Sequence, residues 1–88
     1  MDYLLFTLPS CDKCDELKKY LDENDFSGEE YSLAKKEGRL KIKDYLRIVK
    51  RDDTGGIILP TLILQEARQV SAVVNSRQEL DDWLRSKG

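Results

Sequence analysis

The feature that most constrains this chain is a pair of cysteines, Cys11 and Cys14, placed between an apolar run and an amphipathic segment. The residues before them, 1–8, contain a nearly unbroken apolar run, which predicts a central strand covered on both faces. Cys14 shares helical spacing with Leu17 and Leu21. This spacing predicts a helix in which Cys14 faces inward and Cys11 lies at the start.

The cysteine count and the absence of histidine narrow the chemistry that the chain can perform. The chain has two cysteines and no histidine, so mechanisms that need an imidazole base or ligand are excluded. A closed zinc site needs four ligands, usually sulfur or nitrogen, and one copy offers two thiols. A secreted disulfide scaffold would spread several cysteines along the chain. A disulfide between residues three apart constrains little of the unfolded chain, so a chemical role explains the pair better than stability does.

Length and composition predict one small domain spanning residues 1–88. Hydrophobic residues make up 40% of the chain and charged residues 36%, with a net charge of −2, and the apolar residues occur in organised runs. No apolar stretch approaches the ~20 residues that cross a bilayer, and the N-terminus lacks the basic region of a signal peptide. We therefore expect a cytoplasmic monomer without a membrane partner.

Charge is distributed unevenly along the chain. Residues 35–51 carry eight basic and two acidic side chains, a net charge of +6, which leaves −8 for the other residues. The pI of about 5.1 argues against a nucleic-acid partner, because dedicated nucleic-acid binders carry a clear basic excess. The basic segment is either a solvated helix face or a steering patch for an acidic partner or an anionic small molecule.

The remaining hydrophobic periodicities predict an alternation of strands and helices. A short strand is expected over residues 29–33, an amphipathic helix over 39–51, strand-like runs over 57–64 and 69–74, and a final helix opened by the capping box Ser76–Glu79. The order is βαβαββα. A β-α-β crossover makes the first two strands parallel, and the closing hairpin adds antiparallel pairing. The predicted class is therefore α/β, with a four-stranded mixed sheet and helices on both faces.

A cysteine at the start of a helix is placed for thiol chemistry. The free N–H groups and the helix dipole favour a thiolate at that position, and Cys-x-x-Cys pairs use this effect. Cys11 is therefore the candidate nucleophile. Cys14, one turn into the helix, is the candidate resolving thiol. Lys13 adds a positive charge that favours the thiolate, while Asp12 and nearby carboxylates oppose it.

These motifs together resemble the glutaredoxin branch of the thioredoxin-fold family. The strand leading to Ser-Cys-Asp-Lys-Cys at residues 10–14, the Leu59-Pro60 pair before a strand, and the closing hairpin and helix follow that family over nearly the whole chain. The resemblance implies a three-layer fold and a thiol-disulfide oxidoreductase that reduces protein or glutathione mixed disulfides. It also implies a cis Leu59–Pro60 bond, a substrate-binding surface at Leu59 and Pro60, and an anion-binding helix start at Ser76.

The chain departs from the usual glutaredoxin pattern in three places. Asp12 and Lys13 stand where Pro and Tyr are typical, no lysine occurs within residues 7–10, and Val73-Val74 stands where Gly-Gly is typical. The last two changes remove anchors for the glutathione carboxylates, so we expect weak glutathione binding. Glutathione remains a candidate co-substrate and no other cofactor is expected. Reduction of protein disulfides, as by thioredoxins, is an open alternative.

The same two thiols also admit a metal-carrier function. Cu(I) suits two cysteines, and an iron–sulfur cluster can be bridged between two chains. Copper chaperones, however, resemble a fold that ends in a strand, and they usually carry Met two residues before the first cysteine, where this chain has Pro9. We therefore expect no resident metal and keep the metal carrier as the alternative to the oxidoreductase. An interaction module with incidental cysteines is a further alternative.

Overall fold

Strands and helices alternate along the chain in the computed structural model, which describes residues 2–87 without the side chain of Lys87. Met1, at the start of the first predicted strand, lies outside the described residues. The strands are β1 (Asp2–Thr7), β2 (Ser27–Ser32), β3 (Thr61–Glu66) and β4 (Gln69–Val74). The α-helices are α1 (Asp12–Glu23), α2 (Lys36–Ile42) and α3 (Arg77–Lys87), and a 3-10 turn, Lys43–Tyr45, follows α2.

The four strands form one mixed sheet in the order β2-β1-β3-β4. β1 pairs with β2 in parallel and with β3 in antiparallel, and β3 pairs with β4 in antiparallel. The predicted α/β class and the four-stranded mixed sheet are therefore confirmed. β2 begins two residues before its predicted start, because it pairs with the whole length of β1, from Asp2 opposite Ser27 to Thr7 opposite Ser32.

Alternate residues of the central strands supply two separate apolar clusters, one on each face of the sheet. Leu5 of β1 packs with Leu17 of α1 and Leu80 of α3. Leu4 and Phe6 belong to the other cluster, which is covered by the segment that contains α2. This alternation follows from the period of two along a strand, and it confirms that helices lie on both faces.

The second helix differs from its predicted span of residues 39–51. It begins at Lys36, ends at Ile42, and continues as a 3-10 turn and irregular turns. Ile42, Leu46 and Val49 have the helical offsets 0, 4 and 7, which predict that all three face inward. Ile42 and Val49 are buried, but Leu46 is 38% exposed. A 3-10 turn repeats every three residues instead of 3.6, so the tightened backbone after Ile42 rotates Leu46 away from the core.

The predicted strand-like run over residues 57–64 is a strand only from Thr61 onward. Before it, Ile57 forms an isolated bridge with Arg51, and residues 58–60 form a loop at the start of β3. Proline has no backbone donor for a ladder, so Pro60 ends the pairing on its N-terminal side. The loop that results is part of the candidate site.

Candidate active site

The cysteine pair lies at the N-terminus of α1, where the sequence predicts it. Cys11 is the N-cap residue in an extended conformation, and its Sγ accepts a hydrogen bond of 3.1 Å from the backbone N–H of Cys14. The two sulfurs form a disulfide, with Cα atoms 5.2 Å apart. Cys11 Sγ therefore satisfies one of the otherwise unpaired donors of the first helical turn.

The two cysteines differ in their access to solvent. Cys14 is 2% exposed and, like Leu17 and Leu21, is a buried residue of α1. Cys11 is half-buried at the end of the helix. An external thiol or disulfide can therefore approach Cys11, while the protein covers Cys14. This is the arrangement expected for a nucleophile and a resolving thiol.

Charges around the first turn of α1 are mixed. The turn carries the carboxylates of Asp12 and Asp15, and Lys13 is exposed between them. No described carboxylate lies within 4.0 Å of the Lys13 ammonium. The structure therefore places Lys13 beside the cysteines as a free cation with respect to the described residues, and no hydrogen bond ties it to either sulfur.

The loop that contains Leu59 and Pro60 lies at the same edge of the sheet as the cysteines. Thr61, directly after the loop, pairs with Phe6 near the end of β1, and β1 leads through a short turn to Cys11. The Leu59–Pro60 bond is cis, which confirms the geometry that the family resemblance implied. Pro60 is buried and Leu59 is half-buried. Among the described residues, nothing hydrogen-bonds to the backbone N–H or C=O of Leu59.

Asn75, which the sequence analysis did not single out, holds this loop in place. Its Nδ2 group donates to the carbonyl oxygens of Ile58 at 3.0 Å and Pro60 at 3.1 Å, and lies 3.4 Å from the hydroxyl oxygen of Thr61. Thr61 in turn donates to Ile58 C=O at 2.7 Å. Asn75 is 6% exposed, and its Oδ1 has no hydrogen-bond partner among the described residues. Asn75 is therefore a positioning residue for the loop.

The start of α3 lies at this edge as well. Ser76 Oγ accepts the backbone N–H of Glu79 at 3.1 Å, which confirms one half of the predicted capping box. The Glu79 carboxylate does not complete the box but pairs with Lys50 at 2.9 Å. Val74, which ends β4, pairs with Leu62 next to the loop. Topology thus brings the predicted site residues to one edge of the sheet, namely Cys11, Cys14, Leu59, Pro60 and Ser76.

No group of three or more His, Cys, Asp or Glu side chains that could hold a metal ion occurs within residues 2–87. No helix in the described part of the chain is long and apolar enough to span a membrane. No protein-family model matches the chain, and no curated protein matches it either. Its function must therefore be inferred from the geometry of this edge.

Proposed function

We propose that the protein is a thiol-disulfide oxidoreductase with a thioredoxin/glutaredoxin-like three-layer fold. The observation that carries the proposal is the bonded pair at the start of α1, in which Cys11 is half-buried and Cys14 is 2% exposed. A disulfide across three residues adds little to stability, whereas a helix start favours the thiolate that attacks disulfides. The sheet order and the cis Leu59–Pro60 bond support the family resemblance.

The reaction uses both cysteines and transfers two electrons. In the reduced protein the Cys11 thiolate attacks one sulfur of a substrate disulfide, forms a mixed disulfide, and releases the other substrate sulfur as a thiolate. The Cys14 thiolate then attacks Cys11 Sγ, releases the remaining substrate thiolate, and closes the Cys11–Cys14 disulfide. The released thiolates take protons from Cys14 and solvent, and two equivalents of an external thiol reduce the protein again.

The edge around Cys11 offers a docking strip for the substrate. The unpaired backbone N–H and C=O of Leu59 can pair with an extended peptide, as added strands do in other complexes. Ser76 and the N–H groups at the start of α3 favour a carboxylate nearby. The proposed substrate is therefore a protein disulfide or a glutathione mixed disulfide. A catalytic dithiol suits a reducing compartment, and the proposal places the protein in the cytoplasm.

Single-cysteine variants test the proposed function directly. Reduced Cys14→Ser should capture a model disulfide, such as insulin or glutathione disulfide, as a stable adduct on Cys11, because the resolving thiol is missing. Cys11→Ser should lose nearly all exchange activity. Mass spectrometry of the adducts and a coupled reductase assay supply the readouts. Lys19→Gln, an exposed change further along α1, is a matched control that should keep full activity.

Two outcomes would contradict the proposal. One is a Cys11→Ser variant that keeps the activity of the parent protein. The other is a reduced protein that exchanges with neither insulin nor glutathione disulfide while its fold, measured by circular dichroism, is intact.

A further inference from the structure

Three large apolar side chains are exposed on the segment that covers one face of the sheet. Leu40 is 51% exposed, Leu46 38% and Ile48 41%, and all three lie in α2 or in the turns that follow it. Ile42 and Val49, from the same segment, are buried and already supply its contacts with the core. Single exposed apolar residues are ordinary, so these three side chains support an interaction surface only together with the charges around them.

Cationic side chains alternate with these apolar ones. Lys36, Lys43 and Arg47 are exposed, and no described carboxylate lies within 4.0 Å of their charged atoms. Lys18, in contrast, is paired with the Glu30 carboxylate at 3.1 Å. The surface of residues 36–48 therefore carries uncompensated positive charge together with apolar area. We call it the basic-apolar face; its members are Lys36, Leu40, Lys43, Leu46, Arg47 and Ile48.

We propose that the basic-apolar face binds an acidic protein segment that carries its own apolar side chains. The cations attract and orient an acidic partner over a Debye length of about 8 Å at physiological salt. The exposed apolar side chains are then removed from water against the partner, which a purely ionic contact would leave exposed. This binding does not depend on the chemistry of the cysteines, and it goes beyond the proposed oxidoreductase function.

The composition of the segment favours a protein over an anionic membrane. Glu37 and Asp44 are exposed within the same segment, and lipid phosphates would repel them. A protein segment can place a lysine or arginine opposite these two carboxylates. In addition, α2 has seven residues, too short to lay a continuous apolar stripe of several turns into a bilayer surface.

A binding experiment with synthetic peptides tests the inference. The probe is a fluorescent peptide of about 20 residues made of Leu, Lys and an excess of Glu, with Leu at positions three and four apart and Glu–Lys pairs four apart to support the helix. A scrambled peptide of the same composition, polyglutamate, and phosphatidylserine vesicles are the comparison ligands. We expect the amphipathic peptide to bind most tightly, and its affinity to fall as salt rises.

Matched variants distinguish binding at the basic-apolar face from a general effect of the protein's net charge. Lys36→Glu with Arg47→Glu takes the net charge from −2 to −6, and so does the control pair Lys19→Glu with Arg68→Glu outside the face. The first pair should weaken peptide binding about tenfold and the control less than about twofold, because distant charges are screened. Ile48→Ser should weaken binding without changing its salt dependence, whereas Val70→Ser, at a site of similar exposure (42% against 41%), should not weaken it.

Several results would overturn the inference. Equal losses in the two charge-reversed pairs would show general electrostatics rather than a defined face. Binding of polyglutamate or of the scrambled peptide as tightly as the amphipathic peptide would remove the role of the apolar side chains. Binding to the vesicles but not to the peptide would identify a membrane surface as the partner. Binding to none of the ligands would refute the proposal that the basic-apolar face is a binding surface.

Discussion

Replacing Asn75 with alanine tests how firmly the loop before β3 is held. Asn75 is 6% exposed, and its Nδ2 group donates to the carbonyl oxygens of Ile58 and Pro60. Alanine removes both of these hydrogen bonds. Bulk water cannot replace them without opening the edge of the sheet. We therefore expect the Asn75→Ala variant to be less stable and its loop, which carries the proposed docking strip at Leu59, to be less firmly held.

The size of the effect follows from the individual contacts. The bonds of 3.0 and 3.1 Å are of ordinary length, while the contact of 3.4 Å to Thr61 is too long to add much. Two neutral hydrogen bonds contribute about 1–3 kcal/mol together. Ile58 C=O keeps its bond from Thr61, so the added penalty for an unpaired acceptor falls on Pro60 C=O. Removing the unpaired Oδ1 of Asn75 offsets part of that penalty, which leaves a loss of about 2 kcal/mol.

Equilibrium unfolding in urea measures this loss. The midpoint should fall for Asn75→Ala with an unchanged dependence on denaturant, because the surface exposed on unfolding stays almost the same. Asn24→Ala is the matched control: Asn24 Nδ2 also donates to a carbonyl, that of Tyr20 at 2.8 Å, but at an exposed helix end. Its loss should stay within about 0.5 kcal/mol. Equal free energies of unfolding for the two variants would refute the positioning role of Asn75.

Four further outcomes are expected. After reduction, alkylation at about pH 6 should label Cys11 before Cys14, as peptide mapping would show; faster labelling of Cys14 would contradict the assignment of Cys11 as the nucleophile. Calorimetric titration should show weaker glutathione binding than for glutaredoxins that carry both carboxylate anchors. Tight binding would contradict the inference that the missing lysine and Gly-Gly weaken it. Hydrogen bonds from the Thr54 side chain and the Gly56 N–H lower the pKa of Asp52. The unfolding free energy that Asp52→Ala removes should therefore be largest above pH 3.8, the ordinary pKa, and shrink as pH falls through the lowered folded pKa; a constant difference would exclude this linkage. Phe6→Ala should cost about 3–5 kcal/mol in urea unfolding, because Phe6 is 0% exposed, and a loss below about 1 kcal/mol would contradict its place in the core.

The order of strands and helices could be predicted because apolar residues recur with the spacing of a helix or a strand in each element. The spacing of Cys14, Leu17 and Leu21 is that of a helix with one inward face, and all three are buried. Leu46 shows where this reasoning fails. It keeps the helical spacing, but the backbone tightens before it, and a hydrophobic pattern does not distinguish an α-helix from a 3-10 turn over so few residues.

The site could be predicted only in part, for a different physical reason. Cys11 and Cys14 are neighbours in sequence, so their helix start and their difference in burial follow from local pattern. The cis bond before Pro60 came from the family resemblance rather than from local sequence. Asn75 contacts residues 15 and 17 positions earlier in the chain, and nothing in the pattern around an asparagine identifies so distant a carbonyl.

The N-cap of α1 has a consequence for how stability and redox state depend on one another. One sulfur atom, Cys11 Sγ, both accepts the Cys14 N–H and forms the disulfide. In the proposed reduced state that sulfur is a thiolate, and a charged acceptor makes a stronger hydrogen bond than a neutral one. The thiolate therefore stabilises the start of α1 more than the disulfide sulfur does. This extra stabilisation is lost when the disulfide forms. Substitutions in the first turn of α1 that stabilise the thiolate form more than the disulfide form should therefore shift the equilibrium toward the dithiol, even when they touch neither cysteine.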